Sequence, residues 1–277
     1  MRVDRCLFIP RSPFPIPHML PRDELLNSVE NREAVAKILD RAEDALKTWE
    51  IAQTDFLSPP ELMEALEIFS RLTEVRAVAW GGYPQAERQR LAIARSELPL
   101  DTANVEVVAV EIAGNFLFDT ATHRDFLGAM LGTGIVREKT GDILVLGERG
   151  AQAIVVPDLV EFLEMNLTQV RSVPVKTQAI ALTELRVRPP KKKEMTTVEA
   201  SMRLDAIASA GFGMSRSKMS SLISSGDVRV NWKEAKQSSY TVKSGDLIAI
   251  RGKGRLEVGE VAMTKKQRYR VQLTRLR

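Results

Sequence analysis

Between Arg203 and Arg255 the hydrophobic period switches from helical to alternating inside one short stretch. Leu204, Ile207 and Ala208, then Met219, Leu222 and Ile223, follow the i, i+3, i+4 spacing of one buried helical face, so two short helices are expected. Ser215 suits the N-cap of the second helix and Gly226 the residue just past its end. Val228-Arg229-Val230-Asn231 and Asp246 to Ile250 then read as short strands, with a basic turn at Lys233 and Lys236 between them. Arg216, Ser217 and Lys218 occupy the first turn of the second helix. A helix N-terminus presents free N–H groups and a positive dipole end, which suits a phosphate. Cations placed there oppose the same dipole, and an external anion would resolve that conflict.

Charge divides the chain in the same way. Residues 186–277 hold 21 Lys and Arg against 8 Asp and Glu, a net +13, whereas the whole chain carries only +4, which leaves −9 for the remainder. A strongly basic end on an acidic body is the expected form of a polyanion-binding module joined to separate domains. Cys6 is the single cysteine and His18 and His123 the two histidines, so neither a disulfide framework nor a zinc centre is expected, and no cofactor is implied. No apolar run reaches the ~18–20 residues of a membrane span. No GxGxxG or GxxxxGK[ST] phosphate loop is present.

Residues 1–20, with Pro10, Pro13, Pro15 and Pro17, read as an extended or disordered tail without the apolar core of a secretory signal, and Met19 is a candidate start. A helix is expected from Asp23 to about Trp49. Another follows Ser58-Pro59-Pro60-Glu61, where Ser58 and Glu61 form a capping box. Beyond Val75 the reading is a strand over Arg76–Tyr83, a helix over Gln85–Ser96 and a strand over Val105–Ile112. A helix over Thr122–Leu131, capped by Thr122 and Asp125, comes next. Strands at Ile135–Glu138, Ile143–Leu146 and Ala153–Val156, a helix over Leu159–Leu167 and a long strand over Arg171–Leu182 complete the central unit. Strands alternating with helices imply a sheet covered by helices. Arg186 to Lys193, with Pro189 and Pro190, reads as a basic linker, and the residues after Arg255 as strands extending the C-terminal sheet.

Arg203-Leu204-Asp205, Ser215-Arg216-Ser217-Lys218, Ile223-Ser224-Ser225-Gly226, Val228-Arg229-Val230-Asn231 and Gly245-Asp246-Leu247-Ile248 together resemble the S-four domain. That RNA-binding module is named after ribosomal small-subunit protein four. Trp232 stands where most members have glycine. Thr122 to Leu131 and Gly134 to Ile143 resemble the YlmH family, and the photosynthetic branch known as photosystem II S-four-domain proteins is the most similar. The expected fold class is therefore an α+β multidomain chain. Its parts are the tail 1–20, a small helical N-terminal unit over 21–74, a central α/β sheet domain over 75–184, and a C-terminal S-four-type α/β RNA-binding domain with its basic linker over 185–277.

The resemblance implies binding to structured RNA, ribosomal RNA or tRNA on the large ribosomal subunit, in ribosome-associated quality control. It also implies a cytoplasmic location, or the chloroplast stroma in a plastid-bearing organism. In the basic module Arg203, Arg216, Lys218, Arg229, Lys233, Lys236 and Arg255 are the candidate phosphate contacts. Ser215, Ser217, Ser221, Ser224 and Asn231 are candidate hydrogen-bonding groups, and Asp205 and Gly226 complete the RNA-binding set. Arg124, Arg137 and Lys139 form a candidate second RNA surface in the central unit.

Catalysis is not expected. Adjacent helical residues do not face one another, so His123 and Asp125 make a poor dyad. Gly254-Arg255-Leu256-Glu257 is similar to a pseudouridine synthase motif but carries Glu257 in place of the catalytic aspartate. An RNA-modifying enzyme and a photosystem II assembly factor acting through protein contacts are the alternatives.

Overall fold

The computed structural model describes residues 20–27, 29–189, 191–250 and 252–276. The proline-rich tail, up to residue 19, lies outside them. The chain divides after Leu182 into two compact units, and each is taken by itself.

The first unit opens with α1 (Arg22–Asn27) and α2 (Arg32–Thr48) in place of one helix from Asp23 to Trp49. The break has a tertiary cause. The Glu64 carboxylate accepts the backbone N–H groups of Glu30 and Asn31, both at 3.1 Å, and so caps α2 from another helix. Val35, Ile38, Leu39, Ala42, Ala45 and Leu46 form the buried stripe of α2. After β1 (Ala52–Gln53) comes α3 (Pro59–Phe69), whose N-terminus carries the Ser58–Glu61 capping box. Strands β2 (Val75–Trp80) and β3 (Arg90–Arg95) complete a sheet of order β1-β3-β2. Val75, Leu91 and Ile93 share one core with α1, α2 and α3, so the core of the helical unit runs on past residue 74.

The expected helix over Gln85–Ser96 is absent, and Arg90–Arg95 is the middle strand of that sheet. Leu91, Ala92, Ile93 and Ala94 are buried on both faces, so they lack the alternation that marks a half-exposed strand. The preceding turn is held from far along the chain. Asp142 accepts from the Tyr83 hydroxyl at 2.8 Å and from the Glu87 and Arg88 N–H groups at 2.7 and 3.1 Å.

A second, four-stranded sheet has order β5-β6-β4-β9 and is antiparallel throughout. Its strands are β4 (Val108–Ala113), β5 (Thr140–Val145), β6 (Gly150–Val155) and β9 (Lys176–Ile180). Helices α4 (His123–Gly132) and α5 (Val160–Asn166) supply Phe126, Met130 and Leu163 to its core. The Thr122–Asp125 capping box is present at α4. Arg137–Lys139 is a 3-10 turn, not the expected strand: the Lys139 N–H donates back to Val136 O at 3.2 Å, and Lys139 O accepts from Val156 N at 3.1 Å. The expected long strand over Arg171–Leu182 is a small hairpin, β7 (Gln169–Val170) and β8 (Val173–Pro174), followed by β9. Arg171 turns that hairpin with φ 55°, and Asp119 fixes it by accepting from Arg171 Nε at 2.7 Å.

In the second unit α6 (Leu204–Phe212) and α7 (Arg216–Ser224) cover one face of a six-stranded antiparallel sheet, order β10-β15-β14-β13-β11-β12. The strands are β10 (Lys192–Glu199), β11 (Val228–Val230), β12 (Lys233–Glu234), β13 (Leu247–Ile250), β14 (Gly254–Met263) and β15 (Tyr269–Leu276). Lys192 and Lys193, expected at the end of a linker, begin β10 and pair with Leu276 and Arg275. The expected C-terminal strands are present as β14 and β15. Leu204, Ile207, Ala208, Met219 and Ile223 meet Val228, Val230, Ile248, Leu256, Val271 and Leu273 in a single core. Full burial of each large apolar side chain contributes about 1.5–3 kcal/mol.

Candidate nucleic-acid interface

The N-termini of α6 and α7 carry Arg203, Asp205, Ser215, Arg216, Ser217 and Lys218 among the candidate groups. Asp205 is buried, and its carboxylate takes two parallel bonds from exposed Arg203, Nε to Oδ1 at 3.0 Å and Nη2 to Oδ2 at 3.1 Å. Asp205 therefore aims Arg203 and is not itself a phosphate contact. Hydrogen bonding to Arg203, then burial acting in the opposite sense, then the charges of Arg203 and Arg216, set a carboxyl held below its usual range. The charge of Arg216, in the first turn of α7, acts on Asp205 in the same sense as Arg203.

The loop that follows β12 is tied to the same place. Tyr240 O accepts from Leu204 N at 2.8 Å, Ser238 O accepts from Asp205 N at 3.2 Å, and Thr241 bridges Arg203. Exposed Lys236 stands at the head of this loop. Tyr240 is 45% exposed there, a candidate stacking ring that charge-based reading passes over. Its position depends on hydrogen bonds to α6, which its local sequence does not signal.

Along α7, Ser215 Oγ accepts from Lys218 N at 3.3 Å, so this serine works as the N-cap. Arg216, Ser217, Lys218, Ser221 and Ser224 are exposed, with Ser221 Oγ donating to Ser217 O at 3.2 Å. Gly226 closes the helix at φ 77°. Its N–H donates to Ile223 O and the Asp227 N–H to Leu222 O, the paired bonds of a left-handed C-terminal cap. Gly226 thus shapes the helix exit and offers no side chain to a ligand.

The strands divide the remaining cations from the helix rim. Val228 and Val230 point into the core beneath the helices, so Arg229, between them, points from the opposite face. Cross-strand pairing puts Arg229, Ala249, Arg255, Leu276 and Lys192 in one row on that face. The single rim expected to include Arg229 and Arg255 is therefore two surfaces. Arg203, Arg216, Lys218 and Lys236 lie on the helix side, and Arg229 and Arg255 lie on the open sheet.

Asn231 is also reassigned. Its Nδ2 donates to Asp246 Oδ1 and its Oδ1 accepts from Leu247 N, both at 2.9 Å, so its amide clamps two strands together. Asn231 and Trp232, at φ 49° and 67°, form the two-residue turn between β11 and β12, a geometry that favours glycine at its second position. Trp232 keeps the turn despite its side chain and lies 5.8 Å from the Arg255 guanidinium. Lys233 begins β12 just after this turn.

In the first unit the three candidates do not form a free basic surface. Arg137 donates to Thr140 O at 2.7 Å and Gly141 O at 3.1 Å. Burial, reinforced by the like charge of Arg88, pushes its guanidinium down to about 10. Lys139 is ion-paired with Asp55 at 2.7 Å. Only Arg124 of the three stands on an exposed helical turn without a bond of this kind. Burial and the charge of Arg137 lower His123, while Asp125 accepts from Thr122 N at 2.8 Å and Oγ1 at 2.7 Å. Asp125 is thus committed to its cap. Among the described residues no helix is long and apolar enough to cross a membrane.

These parts follow the divisions of known protein families. The model "YlmH, N-terminal" matches residues 30–98, "Putative RNA-binding domain in YlmH" residues 101–184, and "S4 domain" residues 202–248. The chain is similar to the Ribosome-associated protein quality control protein P2 of Bacillus subtilis (strain 168), 34% identical over 223 residues. That match covers 80% of this chain and 86% of the relative. Among solved structures, the cell division protein ylmH from Streptococcus pneumoniae matches in fold with a TM-score of 0.50 at 21% identity. It covers 58% of this chain and 96% of that one. With three consecutive family matches and a relative alike over most of both lengths, the chain belongs to the YlmH family.

Proposed function

We propose that this chain is a non-enzymatic RNA-binding protein that docks on structured ribosomal RNA or tRNA and serves ribosome-associated quality control in the cytoplasm. The observation that carries this reading is the rim at the N-termini of α6 and α7, where Asp205 aims Arg203 and Arg216, Lys218 and Lys236 stand exposed nearby. Structured RNA is recognised largely through phosphate, 2′-hydroxyl and shape, and such a polar rim supplies those contacts. The quality-control role rests on the name of the Bacillus subtilis relative.

Arg203, Arg216, Lys218, Lys233 and Lys236 would engage about five phosphates and contribute roughly −3.5 to −4.5 to the slope of log affinity for a structured RNA against log salt. Fluorescence anisotropy with a large-subunit RNA hairpin over a salt series measures it. Arg216→Ala with Lys218→Ala lowers the steepness by roughly 1.4–1.8. An affinity that ignores salt sinks this mechanism. A ribosomal RNA or tRNA modification lost in cells without the protein and restored by the purified protein would make it an enzyme instead.

A further inference from the structure

The tip of the β14–β15 hairpin lies beyond the S4 match and builds a site of its own. The turn is firmly closed. Thr264 N donates to Arg268 O at 2.7 Å, Gln267 N to Thr264 O at 2.9 Å, and Arg268 N to Thr264 Oγ1 at 3.1 Å. Beside it lies an open cup of about 530 Å³. Val198, Ala262 and Met263 form its floor, and Lys265, Lys266, Arg268 and Arg270 form its walls.

Pairing explains the arrangement. Val198, Arg270 and Ala262 lie side by side on three strands, and Val271, the next residue of β15, is buried in the core. Val198, Arg270 and Ala262 therefore lie on the sheet face turned away from α6 and α7, roughly 10 Å across three strands, and Met263, the next residue of β14, closes the cup at the hairpin end. No carboxylate lines it, and among the described residues none of the four cations has an ion-pair partner. Lys265, Lys266 and Arg268 on the fixed turn and Arg270 at the start of β15 are like charges that repel one another. That arrangement is relieved by a ligand bearing several negative charges, not by a single small anion.

We propose that this cup is a second RNA-backbone site, distinct from the helix rim. Lys265, Lys266, Arg268 and Arg270 hold consecutive phosphates, and the Val198–Ala262–Met263 floor receives sugar and base edges. Met263 is 65% and Val198 44% exposed, so the floor is open to such contact. The inference rests on the RNA-binding reading, and its second surface lets one RNA be gripped on both sides of the sheet.

The test uses the full chain and one probe, large-subunit ribosomal RNA, with two sets of variants. Lys265→Ala/Lys266→Ala/Arg268→Ala removes three contacts, and Arg216→Ala/Lys218→Ala changes only the rim. The tip variant is expected to reduce the salt slope by roughly 2–2.7. Photocrosslinking of the unmodified chain is expected to place nucleotide on the peptide spanning 263–270. Hydrogen exchange of β14 and β15 confirms that the tip variant stays folded. A tip variant with unchanged slope, beside a rim variant that weakens, overturns the cup and leaves the RNA reading standing. If neither variant changes the slope, both fail. Vesicles of phosphatidylcholine with one quarter phosphatidylglycerol form the last arm. Tip-dependent binding to them without tip-dependent RNA binding assigns the cup to a membrane surface and overturns the proposal.

Discussion

A methyl group added at Gly211 has nowhere to go. Its Cβ would lie 2.2 Å and 2.6 Å from the two terminal carbons of Leu256, which is completely buried. Carbon contacts settle at about 3.5–4.0 Å, so the leucine must retreat by at least ~1.3 Å. Overpacking of this kind costs about 1–3 kcal/mol, against a helix-propensity gain of up to ~1 kcal/mol for alanine over glycine. Gly211→Ala is therefore expected to destabilise the unit by up to about 2.5 kcal/mol. Leu256→Ala alone leaves a cavity and costs about 2–5 kcal/mol. In the double variant the new methyl enters that cavity, so the pair loses less than the sum by about 1–3 kcal/mol. Native-state hydrogen exchange of the α6 amides in the full chain reads each value, with a tenfold change in protection for every ~1.4 kcal/mol. Additivity within about 0.5 kcal/mol, or a Gly211→Ala chain more protected than the original, would refute the close packing of α6 on β14.

Asp205→Ala removes a negative charge from a surface read as binding phosphate, so charge alone predicts tighter RNA binding. The alignment of Arg203 predicts the reverse, a loss of roughly 2–12-fold as an unfixed guanidinium must be ordered on binding; anisotropy decides by sign. Because the folded Asp205 carboxyl is depressed, its stabilising contribution is present above the unfolded carboxyl value of about 3.9 and is lost as pH falls through the lower folded value. Asp205→Ala should lower stability at neutral pH and make its fall below about pH 4 shallower than in the original chain, as acid titration of unfolding reads. Arg137→Gln removes a positive charge that holds His123 down, so the His123 titration in NMR should rise toward its ordinary value. A His123 titration that stays put would mean burial alone sets it.

Local chemistry was legible where it depends on neighbours in sequence. The Ser58–Glu61 and Thr122–Asp125 boxes and the Ser215 cap are present, as are the two helices of the basic unit and the strands after Arg255. The errors arise where distant residues decide. Asp142 shapes the turn before β3, and Glu64 splits the first helix, each from far along the chain. Asn231 offered no hint that its amide is spent on Asp246 and Leu247. The division of the basic rim is different in kind. The alternation in Val228-Arg229-Val230 already turns Arg229 away from the helices, and grouping residues by charge instead of strand parity concealed it.

Strands β10 and β15 run side by side over their whole lengths, with Lys192 beside Leu276 and Glu199 beside Tyr269. The backbone therefore arrives at the basic unit and departs from it at neighbouring points. A body with such adjoining ends suits insertion into a loop of another protein, because its entry and exit leave the host backbone nearly unbroken. It also implies that a cut made after residue 248, where the family motif stops, removes wall as well as ornament, because Leu256, Val271 and Leu273 leave with the discarded piece.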